Sequence, residues 1–580
     1  MIDLWCVLDF ERRGWGRDLV RAAAADGAER PDVVTEIALD EPDVLLVGRR
    51  RRDQRSVLDV GGQTMIVLGT LCEDPSELGW EALKDHPPRG LYHLLLWDGR
   101  RRELRITSDV VGARKLYYWG RDGAWILSTT LGAFRHAPGG KPRPDRMAIA
   151  EILTLCHPLE DRTLLDGVAH VPASHALVFS PMGLSREPRR DAWSTMPAPV
   201  DWSVEQSADA LEEALDRGVA AWTGTVDEIN VALTGGTDSR LLLPFVRRRV
   251  DRVRASTFGD PGSLEVTVAK RLCEETGTAH HVCDLGLPGS MSSDHLARFA
   301  LETEWLGDSV GPFYWHPWLE FLRAQRVPLL TGYLGGIAGR LLCWGVPRGR
   351  LFARAEAARD DLAGHPLREG KALMPFARDA FRADLGGGVG ARLADVYSLL
   401  PGERACERLR ALEISQRQRR YVGWYPELCE KAVRTVHPFL CESVLDVFAR
   451  IPLDIERAAV QRVLTRALPN AARLPDSNTG RRIAHAGRVD FWRDAAVHNR
   501  YATRLAELLG RPERLAFATF RRRIDAHRLH IVRELEHANP VLDELIDMPG
   551  AAAAVGGARI PPRLQMRLYN VARFTRWFYA

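Results

Sequence analysis

The sequence predicts a β-rich α+β domain, then an α/β domain built on a parallel sheet, then a helical C-terminal extension. Three observations carry that expectation. Strand-like runs crowd residues 63–184, strands and helices alternate from residue 203, and beyond residue 350 the chain is mostly helical and rich in Arg. At 580 residues the chain exceeds one ordinary core, so two or three domains are expected.

In the first part, QTMIVLGTL (63–71), LYHLLLWD (91–98) and ELRITSD (103–109) read as strands. KLYYWGRDGAWILST (115–129) is a hairpin turning at Arg-Asp-Gly, and GVAHVPASHALVFSPMGL (167–184) adds a further pair. The stretch SREPRRDAWSTMPAPVDW (185–202) is rich in Pro, Ser and charge, so the first domain is placed at 1–195. SVEQSADALEEALDRGVAAW (203–222) has a Ser start, early acids and helical apolar spacing. EINVALTGG, VRASTFG (253–259) and HHVCDL (280–285) follow as strands, with a helix over 265–277 ended by Gly277. VPLLTGYLGG (327–336) is a short strand entering a glycine turn. Such alternation indicates a helix-wound parallel sheet, placed at 203–500, with the extension at 501–580.

Composition excludes several classes. Net charge is +4 from 80 basic and 76 acidic residues, too near balance to argue for nucleic-acid or membrane binding. The Arg runs at 49–52 and 521–523 therefore read as solvated loops or helix faces. Nine cysteines with no C-x-x-C pair read as reduced, mostly buried thiols of a cytoplasmic protein. Neither a secretory leader nor a membrane span is expected.

The stretch NVALTGGTDSRLLLPF (230–245) carries the chemistry. A strand ending in Gly-Gly and entering a helix aims backbone N–H groups and the positive helix end into one concavity, an anion site. Gly235 and Gly236 admit phosphate without a Cβ clash, and Thr234 and Ser239 offer hydroxyl donors. Asp238 can hold Mg²⁺ or fix the loop. No Gly-Lys-Ser/Thr follows, so this is not a Walker A loop. The plain alternative is a tight β–α connection.

TGGTDS resembles the SGGxDS pyrophosphate loop of the ATP pyrophosphatases, with Thr234 in the Ser position. That resemblance implies ATP and Mg²⁺ as cofactors. It also implies an adenine-nucleotide α-hydrolase-like fold, with Leu233, Thr234, Gly235, Gly236, Thr237, Asp238 and Ser239 at the phosphates.

Residues 91–134 resemble the glutaminase-like domain of asparagine synthetase B, an N-terminal-nucleophile (Ntn-type) β-rich sandwich. Asp98, Asp109, Gly112, Leu116, Tyr117, Tyr118 and Ser128 fall on its pattern, and Pro172, Ala173, Ser174 and His175 on a later segment. A working member uses a Cys directly after the initiator Met. Here Ile2 stands there, and Cys6 reads as a small core residue, so the domain is expected to be an inactive scaffold.

STFGDPGSLEVTVAKRLCEETGTAHHV resembles the synthetase's second nucleotide segment, placing Thr257 and Phe258 beside adenine and Glu265 at an acidic position. VPLLTGYLGGIAGRLL resembles the second pyrophosphate segment, with Thr331 and Gly332 kept and its Asp-Glu pair replaced at Gly336 and Ile337. His437, Pro438, Phe439 and Leu440 align with a third segment, with Cys441 in an Asp position. A base or Tyr-Glu relay is needed for amine attack, and Glu413 and Tyr421 are candidates by position. Their ordinary alternatives are a helix-surface Glu and a half-buried Tyr. Arg481 or Arg482 stands in for the family's pyrophosphate Lys. FYWHPWLEF (313–321) and WGVP (344–347) could line a peptide groove, with core as the plainer reading.

With no ammonia supplied, the attacking amine must arrive on the substrate. The arrangement resembles the β-lactam synthetases and the lasso peptide cyclases, in which amine and activated carboxylate belong to one molecule. Holding both in one pocket gives effective molarities of about 10⁵ M or more. The resemblance to lasso peptide cyclases implies a leader-free core peptide as substrate, with a leader-binding protein and a leader peptidase as pathway partners. The rivals are a small-molecule amide or β-lactam synthetase, and a dead binding protein that keeps the nucleotide fold.

Overall fold

The structure is a computed structural model that describes residues 1–25, 32–73, 88–224, 226–286, 289, 291–304, 311–335, 341–477 and 516–580. The first domain's leading strands are β1 (Asp3–Asp9), β2 (Val33–Glu41), β3 (Val44–Arg51), β4 (Val57–Val60), β5 (Gln63–Leu71) and β6 (Gly90–Asp98). After them come β7 (Glu103–Ser108), β8 (Tyr117–Arg121), β9 (Ala124–Ser128), β10 (Ala169–His170), β11 (His175–Ser180) and β12 (Gly183–Pro188). They form two antiparallel six-stranded sheets, ordered β10-β8-β9-β1-β3-β2 and β12-β11-β7-β6-β5-β4.

The period-two alternation of β1 explains the layering. Leu4, Cys6 and Leu8 face the second sheet, sharing an apolar core with Leu68, Leu95, Ile106 and Phe179. Trp5 and Val7 face the other way, into a core shared with Val20 of helix α1 (Arg17–Ala25) and Ile149 and Ile152 of α2 (Arg146–Leu155). Asp145 caps α2 by accepting from the Ala148 amide. β2, VVTEIALDE, carries a weak pattern because it is an edge strand: Asp40 and Glu41 are exposed and Glu36 pairs with Arg50 (2.8 Å).

The following unit opens with α3 (Val204–Thr223), whose Ser203 and Gln206 form a capping box. Its sheet is parallel and ordered β15-β14-β13-β16-β17. These strands are β13 (Glu228–Ala232), β14 (Arg252–Gly259), β15 (Ala279–Asp284), β16 (Leu329–Leu330) and β17 (Thr435–Val436). Helix α4 (Thr237–Arg247) leaves β13, and α5 (Leu264–Thr276) leaves β14 and ends at Gly277 in the left-handed conformation, φ 62°.

Beyond residue 350 the described chain is helical, with a rare ten-residue π-helix at Glu413–Val422. The last helix, Pro562–Tyr579, does not trail away from the molecule. It packs on the first domain: Arg567 donates to the Leu153 carbonyl (3.1 Å) and the Tyr579 hydroxyl to the Pro142 carbonyl (2.9 Å).

One Arg in each run departs from the solvated reading that the others keep, Arg49, Arg50, Arg52, Arg521 and Arg522 being exposed or half-exposed. Arg51 is 7% exposed and donates to the Glu430 carbonyl (2.7 Å), and Arg523 is 2% exposed, paired with Asp260 and donating to the Leu285 carbonyl (3.1 Å). Each guanidinium satisfies backbone carbonyls that would otherwise be buried without donors. Among the described residues no helix is long and apolar enough to cross a membrane.

Candidate active site

The glycine turn sits at the C-terminal end of β13, where α4 begins. Gly236 precedes the first residue of α4 and has no side chain to cap it, so the first-turn amides are not consumed by a cap. Within the loop, Ser239 Oγ accepts from the Thr234 amide (3.0 Å), and Thr234 Oγ1 accepts from the Gly236 amide (3.2 Å). Each hydroxyl therefore fixes the loop as an acceptor, and because the two oxygens also lie 3.3 Å apart, one donates to the other and one proton is left to point out of the loop.

Gly235 has no spare room. A Cβ there would meet the Ser477 Cβ at 2.6 Å and the Glu265 Cα at 3.2 Å. The segment that presses on it is held by Arg240, fully buried, which donates to the carbonyls of Gly235 (2.8 Å), Ala471 (3.1 Å), Leu474 (3.1 Å) and Pro475 (2.9 Å). The Ser477 amide also donates to the Gly235 carbonyl (2.9 Å), and the Thr237 hydroxyl donates to Asp476 (2.8 Å). Burial lowers the Arg240 guanidinium to about 10. Sequence reading missed Arg240 and Asp476: an Arg one turn into a helix and an Asp after Leu-Pro look like surface.

The second glycine turn lies against Asp238. Cβ atoms on Gly332 and Gly335 would stand 3.0 Å and 2.8 Å from the Asp238 Cβ. Thr331 is bonded to His437 Nδ1 (2.8 Å), whose Nε2 meets Thr435 (2.8 Å), so a fully buried imidazole sets the turn. Burial depresses His437 to about 3, which keeps it neutral. Gly336, Ile337, Arg481 and Arg482 lie outside the described residues. Among the described residues no group of three His, Cys, Asp or Glu could hold a metal ion.

On the β14 side, the Thr257 hydroxyl donates to the Leu233 carbonyl (2.7 Å) and lies 2.9 Å from His280 Nε2. Phe258 packs edge-on to Trp318 (5.2 Å between centroids) and nearer its other flank Tyr425 (6.4 Å). Leu233, Thr234, Gly235, Gly236, Thr237, Asp238, Ser239, Thr257, Phe258, Thr331 and Gly332 thus gather at the C-terminal ends of β13, β14 and β16, where open α/β sheets bind ligands.

Glu413 and Tyr421 fall elsewhere. Glu413 is not on a helix surface: it is fully buried and accepts from Trp344 Nε1 (2.9 Å), Arg417 (3.0 Å) and Gln418 (2.6 Å). A carboxylate so occupied holds its neighbours in place. Tyr421 is half-buried under the Arg417 guanidinium (5.6 Å). The π-helix reaches the glycine turns through the Tyr333 hydroxyl, which donates to the Gln418 carbonyl (3.0 Å). Trp318 and Trp344 are core, 1% and 3% exposed, as the plainer reading had it. Cys441 packs dry against Gly218, its thiol raised to about 11 by burial. Cys6 is fully buried between the sheets, and its thiol is likewise raised.

Glu265 is the most perturbed acid near the turn. Desolvation, then repulsion from Asp476, raises it from 4.5 to about 7. A carboxyl raised on folding stabilises the fold below its unfolded value, and that contribution is lost as pH rises through the folded value. Thermal melts of the wild type should therefore lose stability between pH 4.5 and 7. Glu265→Gln should flatten that segment of the Tm–pH curve. An unchanged slope in the variant would remove Glu265 as its source.

Residues 70–189 match the family model "Glutamine amidotransferase domain". The chain is also similar to 7-cyano-7-deazaguanine synthases: 32% identical over 76 residues to that of Lysinibacillus sphaericus, and 31% over 80 residues to that of Staphylococcus saprophyticus. Each match covers 13% of this chain and 35% of the relative, so the chain spans about a third of the length of the curated relatives it matches. Similar solved structures include the glutamine phosphoribosylpyrophosphate amidotransferase of B. subtilis, at 8% identity, 48% of this chain, 90% of that one and TM-score 0.22. The U34-tRNA thiolase NcsA of Methanococcus maripaludis matches at 13% identity over 44% of this chain and 80% of that one, TM-score 0.17. TM-scores this low establish no shared fold. Residues 70–189 are thus similar to a glutamine amidotransferase domain, within a mixed α/β protein whose C-terminal part is helical.

Proposed function

We propose that the protein is an ATP-dependent, AMP-forming ligase that closes a lasso peptide. It adenylates an Asp or Glu side chain of a leader-free core peptide, and the peptide's N-terminal amine then forms an isopeptide macrolactam. The observation that carries this reading is the glycine turn between β13 and α4, with uncapped first-turn amides, the paired Thr234 and Ser239 hydroxyls and Asp238 between two glycine turns. The partial likeness to a synthase and the amidotransferase-type first domain support an amide-forming ATP enzyme.

The substrate is Mg·ATP. Mg²⁺ is commonly held by one or two carboxylates plus phosphate oxygens and water, so Asp238 with the nucleotide meets that need. In the first step a peptide carboxylate oxygen bonds to the α-phosphorus and the bond to pyrophosphate breaks. The turn's N–H groups and the Thr234 and Ser239 hydroxyls stabilise the leaving charge. In the second step the neutral amine bonds to the acyl carbon, AMP departs and the amine gives up a proton. Arg481 or Arg482 would face pyrophosphate. Tyr421 remains a candidate in the relay, with Glu413 fixing Arg417 over its ring.

The first domain acts as a scaffold on this reading. Cys6 on β1 is fully buried and its thiol is raised by desolvation, which supports that role.

The test is pyrophosphate and AMP release from Mg·ATP with and without the leader-free core peptide encoded beside the gene. Peptide-dependent pyrophosphate with a product lighter by one water is expected. Turnover with a small amino diacid instead would move the function to a small-molecule amide or β-lactam synthetase. ATP bound but never cleaved would leave a binding protein.

A further inference from the structure

Thr331, His437 and Thr435 form a hydrogen-bonded chain that joins the second glycine turn to β17. Thr331 Oγ1 lies 2.8 Å from His437 Nδ1, and His437 Nε2 lies 2.8 Å from Thr435 Oγ1. His437 and Thr435 are fully buried, and Thr331 is 2% exposed. The imidazole is neutral, so one ring nitrogen donates and the other accepts. The Thr331 oxygen also accepts from the Tyr333 amide (3.4 Å). Among the described residues the two hydroxyls have no other partner.

Two placements of the ring proton fit these contacts. With the proton on Nε2, the ring donates to Thr435, Thr331 donates to Nδ1, and the Thr435 proton has no acceptor. With the proton on Nδ1, Thr435 donates to Nε2, the ring donates to Thr331, and the Thr331 proton is left over. A hydroxyl proton without an acceptor is unfavourable where no acceptor can arrive. Thr435 is in such a place, fully buried in β17 opposite Leu329 of β16. Thr331 instead stands at the C-terminal end of β16, and its neighbour Gly332 lies against the start of α4. A Cβ on Gly332 would stand 3.0 Å from the Asp238 Cβ and 3.3 Å from the Ser239 amide nitrogen. We propose that His437 is a positioning residue: pinned by Thr435 in the form protonated on Nδ1, it keeps the Thr331 hydroxyl as a donor for a phosphate oxygen of the nucleotide. This rests on the nucleotide reading of the glycine turn and is indifferent to which carboxylate and amine are joined.

The experiment uses the full chain throughout. Nitrogen chemical shifts of histidine-labelled wild type show which ring nitrogen carries the proton, with the His437 signals assigned by their change in Thr331→Val. Dissociation constants for Mg·ATP are measured for wild type, Thr331→Val, His437→Leu, His437→Asn and the double variant Thr331→Val with His437→Leu. Expected are a proton on Nδ1 and about tenfold weaker binding in Thr331→Val and in His437→Leu alike. The double variant should bind as the single ones do, because His437 acts only through the Thr331 hydroxyl. His437→Asn, whose amide N–H sits where Nδ1–H does, should recover most of the loss. A purely structural histidine would give additive losses and no advantage to His437→Asn. Because the His437 variants could fail to fold, the proton placement in the wild type stands by itself. A proton on Nε2 overturns the proposal, as do additive losses or His437→Asn binding no better than His437→Leu. A wild type that binds no Mg·ATP would instead sink the nucleotide reading itself, and the proposal with it.

Discussion

Asp238→Ala is expected to abolish peptide-dependent pyrophosphate release and product together, lowering kcat by about 10²–10³ or more. The expectation follows from its place. Its Cβ is flanked by Gly332 and Gly335, so the carboxylate stands where both turns converge. Removing it takes away the carboxylate that the proposed reaction needs to hold Mg²⁺ against the phosphates, while the loop hydrogen bonds among Thr234, Gly236 and Ser239 remain. Melting temperature should therefore stay near the wild-type value. A variant that keeps a tenth or more of wild-type pyrophosphate release would take Asp238 out of the reaction.

Glu430→Ala is expected to give the largest loss of stability, about 3–5 kcal/mol. Glu430 and Arg114 form an ion pair in which both side chains are 1% exposed, and Glu430 also accepts from the Thr70 hydroxyl. Arg114 further donates to the Ile2 carbonyl (3.0 Å), so it cannot swing into water when its partner is removed. The penalty is that of a stranded buried charge. Replacing both partners, Arg114→Met with Glu430→Met, should recover most of it. Urea midpoints of the two variants provide the check. A single variant within 1 kcal/mol of wild type, or a double variant worse than the single, would contradict this account.

Much of the fold was legible because its signals are local. The hairpin at Arg-Asp-Gly, the Ser203 cap and the Gly277 stop each depend on a few neighbouring residues, and each appears where the pattern put it. The glycine turn was legible for the same reason. What could not be read was partnership across the molecule. RQRRY (417–421) looks like a solvated charge run, yet Arg419 and Arg420 are 5% and 6% exposed because first-domain carbonyls receive them. Glu413, picked by position alone, is buried in the same way, by the Trp344 ring nitrogen that donates to it from 69 positions earlier in the chain. Arg240 and Asp476 are 236 positions apart in the chain by subtraction, and only the fold brings both to Gly235 and Thr237.

The docking of Pro562–Tyr579 on α2 bears on how the protein can be taken apart. The last helix returns to residues 142–154, so it and the first domain hold each other while the parallel sheet comes between them in the sequence. A protease that nicks such a chain once should yield two fragments that migrate together on a sizing column and separate only in detergent. Neither half should then be obtainable as an independent soluble piece.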